Sequence, residues 1–311
     1  MSLHVVVGAG PIGSGVAQLL ADSGEQVRIV TRRGTGPQHP AIERVAADAT
    51  DADRLGELAA GATAIYNCAN PPYHRWPTDW PPLHAAMLAA AQATGAVLAI
   101  TGNLYGYGPV DRPLTEDLPL VATTVKGRVR ADMWRQALAA AQAGQVKVTE
   151  VRGSDYLGPG ASSMVSELMV PALLKGRTAR LPADLDAPHS FTYTGDMART
   201  LVTVATDERA WGRAWHVPTD APVTMRELAD RICRIAGLPA PKLRRMPYWL
   251  LWTAGLFSAP IKELREVRYQ FQRPFVLDST LTRETFGLAA TPLDEALRAT
   301  LNGRPALQVP W

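Results

Sequence analysis

The segment VVVGAGPIGSGVAQLLADSGEQVRIVTRR, Val5 to Arg33, constrains the fold more than any other part of the chain. Val5, Val6 and Val7 form a short β-branched run suited to a strand buried on both faces. The next six residues, Gly8-Ala9-Gly10-Pro11-Ile12-Gly13, match the pattern G-x-G-x-x-G. Val16, Leu19 and Leu20 then recur at helical spacing until Gly24 stops the helix, and "QVRIVTRR" supplies a second strand. Each glycine has a physical task in such a unit. Gly8 permits the tight turn, Gly10 lets a pyrophosphate approach the backbone, and Gly13 allows the helix to pack close to the strand. The first amides and the dipole of the helix then face the phosphates, next to Pro11 and Ile12. Framed by strand, helix and strand, the turn specifies a dinucleotide; alone it would be a weak signal.

The end of the second strand selects the dinucleotide. An acidic residue there would accept from a ribose 2′-hydroxyl, but the chain has Thr31, Arg32 and Arg33. A guanidinium forks onto a 2′-phosphate that an acidic group would repel. The expected cofactor is therefore NADPH/NADP.

Strands and helices go on alternating. "IERVAADATD" reads as a third strand ending near Asp48, placed to meet an adenine amino group. "ATAIYNCANPPY" is a fourth strand running into the loop from Asn67 to Tyr73, where Ala69 and Asn70 are expected beside the cofactor. "PPLHAAMLAAAQATG" reads as a helix, "AVLAITGNLYGYG" as a fifth strand and loop, "GRVRADMWRQALAAAQAG" as a helix and "VKVTEVRGSDYLGPG" as a further strand. This alternation implies an α/β fold, a doubly wound parallel (Rossmann) sheet with its ligand beyond the carboxyl ends of the strands. Residues 1–157 and 189–217 form the expected nucleotide-binding domain, with "HSFTYTGDMARTLVTVA" and "AWHVP" returning to the main sheet. Residues 158–188 and 218–311 read as a smaller, mostly helical substrate-covering region.

Composition excludes several other classes. A net charge of +3 over 311 residues, with no basic run, argues against a nucleic-acid partner. Two cysteines and six scattered histidines give no disulfide framework and no metal-ligand spacing. The apolar run Trp249 to Phe257 is far shorter than the roughly 20 residues a bilayer needs. No membrane partner is expected, and the expected location is the cytoplasm.

With these segments placed, the chain resembles the extended short-chain dehydrogenase/reductases, the group that includes sugar-nucleotide epimerases and dehydratases. "ITGNLYGYGP" resembles the family's S-S-x-x-V-Y-G segment and puts Thr101 at the catalytic Ser/Thr position. "PLTEDLPLVATTVKGRVRADMW" resembles P-x-T-E-x-x-P…Y-G-x-S-K-x-x-x-E, "GSDYLGPG" resembles N-V-Y-G-P-G, and "FTYTGDMART" resembles F-V-Y-V-D-D-V-A. The departure falls on the chemistry. Lys126 and Arg130 stand where the family has an acid/base tyrosine and the lysine that lowers its pKa and holds the nicotinamide ribose. The resemblance is therefore to an atypical member, similar to the ketoreductases of aromatic polyketide (angucyclinone, simocyclinone-type) antibiotic biosynthesis.

What the resemblance implies for the site follows residue by residue. Thr101 offers a hydroxyl to the developing oxyanion, Arg130 can donate to ribose hydroxyls, and Lys126 can donate to a carbonyl oxygen. An ammonium next to Arg128 and Arg130 would tend to lose its proton. Asp155 and Tyr156 should border the nicotinamide. Asn103, Tyr105, Tyr156, Trp76, Trp249 and Trp252 are candidate substrate contacts, and Trp80 and Phe257 are further candidate walls. No positioned general acid is evident. The proton must come from the substrate itself, from water, from Lys126 or from a loop tyrosine. The leading expectation is an NADPH-dependent ketoreductase of a large aromatic ketone, a monomer or homodimer. The alternatives are an NAD-dependent sugar-nucleotide epimerase or dehydratase, and an inactive NADP(H)-binding regulator.

Overall fold

The computed structural model describes residues 1–247, 249, 252, 253 and 265–303. Its centre is a seven-stranded sheet, entirely parallel in the order β10-β6-β5-β4-β1-β2-β3. The strands are β1 (Leu3–Val7), β2 (Gln26–Thr31), β3 (Ile42–Ala46), β4 (Ala62–Asn67), β5 (Val97–Asn103), β6 (Val148–Gly153) and β10 (Arg213–His216). The order turns back on itself at β1, so the crevice between the ends of β1 and β4 is the topological switch point where such sheets bind ligands.

Helices cover both faces. On one side lie α2 (Ala52–Leu58), α3 (Trp76–Thr94) and α4 (Val125–Gln142), packed through Ile65, Trp80, Met87, Leu98 and Trp134. On the other lie α1 (Pro11–Asp22) and α6 (Thr194–Thr206), packed through Val16, Leu20, Tyr66, Leu201 and Trp215. A wholly buried ring such as Trp80 removes 150–250 Å² from water, about 4–6 kcal/mol of driving force before entropy is subtracted. Among the described residues no helix is long and apolar enough to cross a membrane.

A second core forms around Met169, Leu181, Leu228, Ile232 and Leu297. It is built by α5 (Val170–Leu174), α7 (Met225–Ile235), α9 (Leu293–Asn302) and the short pair β8 (Ala179–Leu181) with β11 (Leu243–Arg245). α7 starts with a capping box, Thr224 and Glu227 bonding each other's backbone amides, a device that contributes about 1 kcal/mol.

The structure departs from the sequence reading in three places. β9 (Phe191–Tyr193) does not rejoin the main sheet; it pairs with β7 (Asp155–Leu157) in a two-stranded sheet, while Arg213–His216 does return, beside β6. α3 begins at Trp76 rather than at Pro81, because Trp76 and Trp80, one turn apart, are both drawn into the core. The helix α2 carried too weak a pattern to be foreseen. Cys68 and Cys233 are both buried and free.

A buried polar chain joins sheet to cover. Arg152 donates from Nε to Glu150 Oε2 (2.6 Å) and from Nη1 to the Tyr107 hydroxyl (2.7 Å). Tyr107 in turn lies 2.7 Å from His216 Nε2, and His216 Nδ1 lies 2.8 Å from the Asp278 carbonyl, just before α8 (Thr280–Phe286). Only Nδ1–H can bond that carbonyl, so Nε2 accepts from the tyrosine. A glycine makes room for this network. A Cβ on Gly102 would stand 2.7 Å from Glu150 Oε1.

Candidate functional site

The turn after β1 is built as the glycine spacing requires. Gly8 holds φ at +105°, and a Cβ there would press on the Cys68 carbonyl and the Ala69 amide. A Cβ on Gly13 would stand 2.1 Å from the Gly8 carbonyl, so helix and turn touch. Gly10 differs: nothing lies within 4 Å of where its Cβ would be. α1 then starts with Pro11 at its first position, no side-chain cap and no acidic residue in its first turn, which leaves its amides to a ligand. Asn67, at the end of β4, is 1% exposed, and neither its Oδ1 nor its Nδ2 has a hydrogen-bond partner among the described residues.

At the end of β2 the Thr31 hydroxyl accepts from the Thr35 amide (2.8 Å), and Arg32 and Arg33 are both exposed. Asp48 accepts from the amide and hydroxyl of Thr50 (3.0 and 2.8 Å), and these bonds, helped by Arg32, hold its carboxyl below the usual range. Ala69 is half-buried and Asn70 exposed in the loop beyond β4. The expected cofactor-binding residues of this half of the site thus follow the carboxyl ends of β1, β2, β3 and β4.

Lys126 and Arg130 stand one turn apart on the buried face of α4. Lys126 is 1% exposed; its Nζ lies 3.8 Å from Glu266 Oε2 and 4.7 Å from the centre of the Tyr73 ring. Its backbone amide also donates to Glu266 Oε2 (3.1 Å), so one carboxylate answers both an ammonium and a helix N-terminus. Arg128 points elsewhere, exposed and bonded to the Thr123 carbonyl. Of the two arginines expected beside Lys126, Arg128 turns away while Arg130 stays on the same face, and Glu266 supplies a counter-charge.

Arg130 is wedged between indoles, its guanidinium carbon 4.7 Å from the Trp76 ring centre and 4.3 Å from that of Trp80. Nη1 donates to the Thr101 carbonyl (3.1 Å), Nε has no partner among the described residues, and burial lowers the guanidinium pKa from its ordinary value. The Thr101 hydroxyl donates to Cys68 Sγ (3.6 Å), whose thiol is pushed up to about 12 by burial.

An aromatic group closes the site. The Tyr73 hydroxyl donates to that of Tyr105 (3.0 Å), and Trp76 stacks on the Tyr105 ring at 5.9 Å. Burial raises the pKa of both phenols well above the usual range. Trp76 itself is 3% exposed, with Nε1 on the Pro71 carbonyl, so it backs the tyrosines and offers no open wall to a substrate. Trp80, fully buried, likewise belongs to the core. Asn103 spends its Oδ1 on the Tyr105 amide (3.1 Å), and Tyr156 donates to the Gly102 carbonyl (3.1 Å). Trp249 and Trp252 are 63% and 47% exposed, and Phe257 lies outside the described residues.

Asp155, expected beside the nicotinamide, places Oδ2 2.7 Å from His189 Nε2. His189, Tyr73, Asn67 and Glu266 are the site residues that sequence reasoning did not single out. Asn67 and Tyr73 carried a signal only as the two ends of the loop after the fourth strand.

Residues 4–217 match the model of the NAD dependent epimerase/dehydratase family. Across 156 residues the chain is 28% identical to the uncharacterized protein y4nL of Sinorhizobium fredii, a match covering 46% of this chain and 41% of that protein. Solved structures are similar over nearly the whole length. The Bordetella bronchiseptica enzyme WbmH in complex with NAD+ has a TM-score of 0.74 at 21% identity, covering 97% of this chain and 98% of that one. MoeE5 in complex with UDP-glucuronic acid and NAD has 0.78 at 20%, with the same coverage. UDP-glucuronic acid 4-epimerase from Bacillus cereus in complex with NAD has 0.78 at 16%, covering 97% and 96%. At these identities the likeness is one of fold.

Proposed function

The chain belongs to the NAD dependent epimerase/dehydratase family, and we propose that it is a nicotinamide-dinucleotide-dependent enzyme working on a secondary alcohol or ketone carbon of a nucleotide sugar. The observation that carries this reading is the turn at Gly8–Gly13: two glycines filled by backbone, one facing open space, and a helix end with no cap of its own. Those features fit a pyrophosphate. The orphaned amide of Asn67, buried at the same switch point, is a further group that a bound molecule would satisfy.

Gly10 and the first amides of α1 hold the pyrophosphate in this reading, Asp48 meets the adenine, and Arg32 with Arg33 favours a 2′-phosphate, hence NADP(H). Bound there, the nicotinamide supplies or removes a hydride. The substrate class is supported by the family and by the ligands of the similar structures, UDP-glucuronic acid among them. The Thr101 hydroxyl, held among the described residues only by a weak sulfur acceptor, is available to the substrate oxygen. Arg130, clamped between two indoles and tied to the Thr101 carbonyl, fixes the end of β5.

A second reading is favoured by one observation, the replacement of the tyrosine–lysine pair by Lys126 and Arg130. Reduction of a large aromatic ketone, with NADPH and with a phenol next to the carbonyl supplying the proton, needs no tyrosine. Fluorescence titration with NADPH and NADH, followed by incubation with UDP-sugars or with an aromatic hydroxyketone, separates the readings. The expected result is tighter binding of NADPH and conversion of the nucleotide sugar. Turnover of the aromatic ketone alone would transfer the assignment to the second reading. Absence of dinucleotide binding at millimolar concentration would remove both.

A further inference from the structure

His189 is boxed by aromatic rings. Phe271 stacks on it at 5.2 Å and 12°, Phe275 at 5.5 Å and 27°, and Phe191 lies tilted at 4.9 Å. Its backbone is fixed on both sides by Val223, and the residue is 2% exposed. Both ring nitrogens meet acceptors: Nδ1 lies 3.2 Å from the Gln270 carbonyl and Nε2 lies 2.7 Å from Asp155 Oδ2. A carbonyl oxygen can only accept, so Nδ1 carries a proton. A neutral ring would then turn the bare lone pair of Nε2 toward a carboxylate oxygen, lone pair against lone pair in an apolar box. The contact at 2.7 Å requires a proton between them. The pair therefore holds one proton more than a neutral imidazole and an ionised carboxylate would.

That proton is stored at the edge of the site. Asp155 is 18% exposed, and among the described residues its Oδ1 has no hydrogen-bond partner. Tyr73, Tyr105 and Tyr156 all feel its charge, which adds to the rise that burial gives each phenol. The other charges near this tyrosine group are the Lys126–Glu266 pair beside Tyr73 and the guanidinium of Arg130. The rings that contact His189 carry no charge.

We propose that Asp155 and His189 form the proton reservoir of this site, taking over the acid/base duty left vacant where Lys126 and Arg130 replace the tyrosine and lysine. The inference rests on the redox reading of the site given above. As the ketone carbon gains its hydride, the C=O π pair moves to oxygen, and a new O–H bond forms with the proton of the pair, either from Asp155 or through the Tyr105 hydroxyl. The pair is left as neutral His189 and ionised Asp155, and solvent at the exposed edge of Asp155 restores the proton. Oxidation of an alcohol runs the same transfer backwards. His189 acts as a positioning residue, since it reaches the substrate only through Asp155.

Asp155→Asn is the decisive variant, because an amide keeps the shape and can donate to Nε2 of a neutral ring while holding no transferable proton. NMR of protein with labelled histidine and aspartate should show the wild-type pair protonated at pH 7, either on both ring nitrogens or on the Asp155 carboxyl. In Asp155→Asn the ring should show one bare nitrogen. At saturating dinucleotide, single-turnover hydride transfer should slow by about 10²–10⁴-fold in the variant, the usual contribution of a positioned acid. A neutral His189 beside an ionised Asp155 in the wild type would overturn the proposal, as would full-rate transfer in Asp155→Asn. Failure of the wild type to bind any dinucleotide would sink the redox reading instead, and the ring signals would still decide where the proton resides.

Discussion

Lys126 and Glu266 meet at 3.8 Å although 140 residues separate them, and the same carboxylate accepts from the Lys126 amide. Removing the carboxylate takes one counter-charge from a buried ammonium and one acceptor from the first turn of α4, whose Thr124 cap stays. Glu266→Gln should cost about 1–3 kcal/mol in urea unfolding, less than a fully buried pair because Glu266 is 28% exposed. Adding Lys126→Met to that variant should recover part of the loss, since the buried charge that lost this carboxylate goes with it. Strict additivity of the two changes would show that the pair is not coupled.

Arg130 between Trp76 and Trp80 presents a flat cation to two rings, a contact lysine cannot reproduce. Arg130→Lys should destabilise by about 1–3 kcal/mol, read as a lower unfolding midpoint. An unchanged midpoint would deny the stacking any structural weight.

The glycine turn separates ligand binding from folding. Gly13→Ala drives a methyl into the Gly8 carbonyl and should unfold or strongly destabilise the chain. Gly10→Ala meets open space, so thermal stability should hold while dinucleotide affinity falls at least tenfold. Equal affinity in Gly10→Ala and wild type would move the pyrophosphate away from this turn.

Arg32→Ala with Arg33→Ala should weaken NADPH binding well beyond NADH binding, a charge-assisted fork to a phosphate being worth about 1.5–3 kcal/mol. Equal losses for the two dinucleotides would leave both arginines to solvent.

Acid should find two buried rings. His216 is held down to about 3 and His84 to about 4, in both cases chiefly because burial penalises the charged ring, with Arg152 and Arg130 respectively adding repulsion. Folded, each ring binds its proton less readily than the ordinary value of 6.5. The unfolded chain thus holds more protons below pH 6.5, and stability falls with the pH from there toward 4 and 3. Each ring should contribute about 1 kcal/mol per pH unit within that window. The Cε1–H resonances of both rings should stay flat from pH 8 to 5; a midpoint near 6.5 in either would contradict its burial.

Much of this fold is legible in the chain because one unit announces itself. Val5–Val7, the three glycines and the paired arginines fix a strand, a turn, a helix end and a charge preference within thirty-three residues, and the alternation that follows fixes a parallel sheet. The errors have local causes. Pro81 and Pro82 looked like a helix start, yet two tryptophans upstream had already wound the chain onto the core. Phe191–Tyr193 followed the strand–helix rhythm but was too short to rejoin the main sheet and paired with β7. The site was half legible. Its glycines and strand ends obey spacing, whereas Glu266 and His189 reach their partners across 140 and 34 residues. A lone acid in one segment and a lone histidine in another leave no periodic trace of a shared pocket.

Gly102 stands over a carboxylate, and this ties two positions of the chain to one history. A side chain at 102 would meet Glu150 Oε1 at 2.7 Å, and Glu150 is already committed to Arg152 and, through it, to Tyr107 and His216. Position 102 cannot enlarge alone: descendants that gain a larger residue there must first have shortened 150, and with it surrendered the rivet that fastens the cover to the sheet.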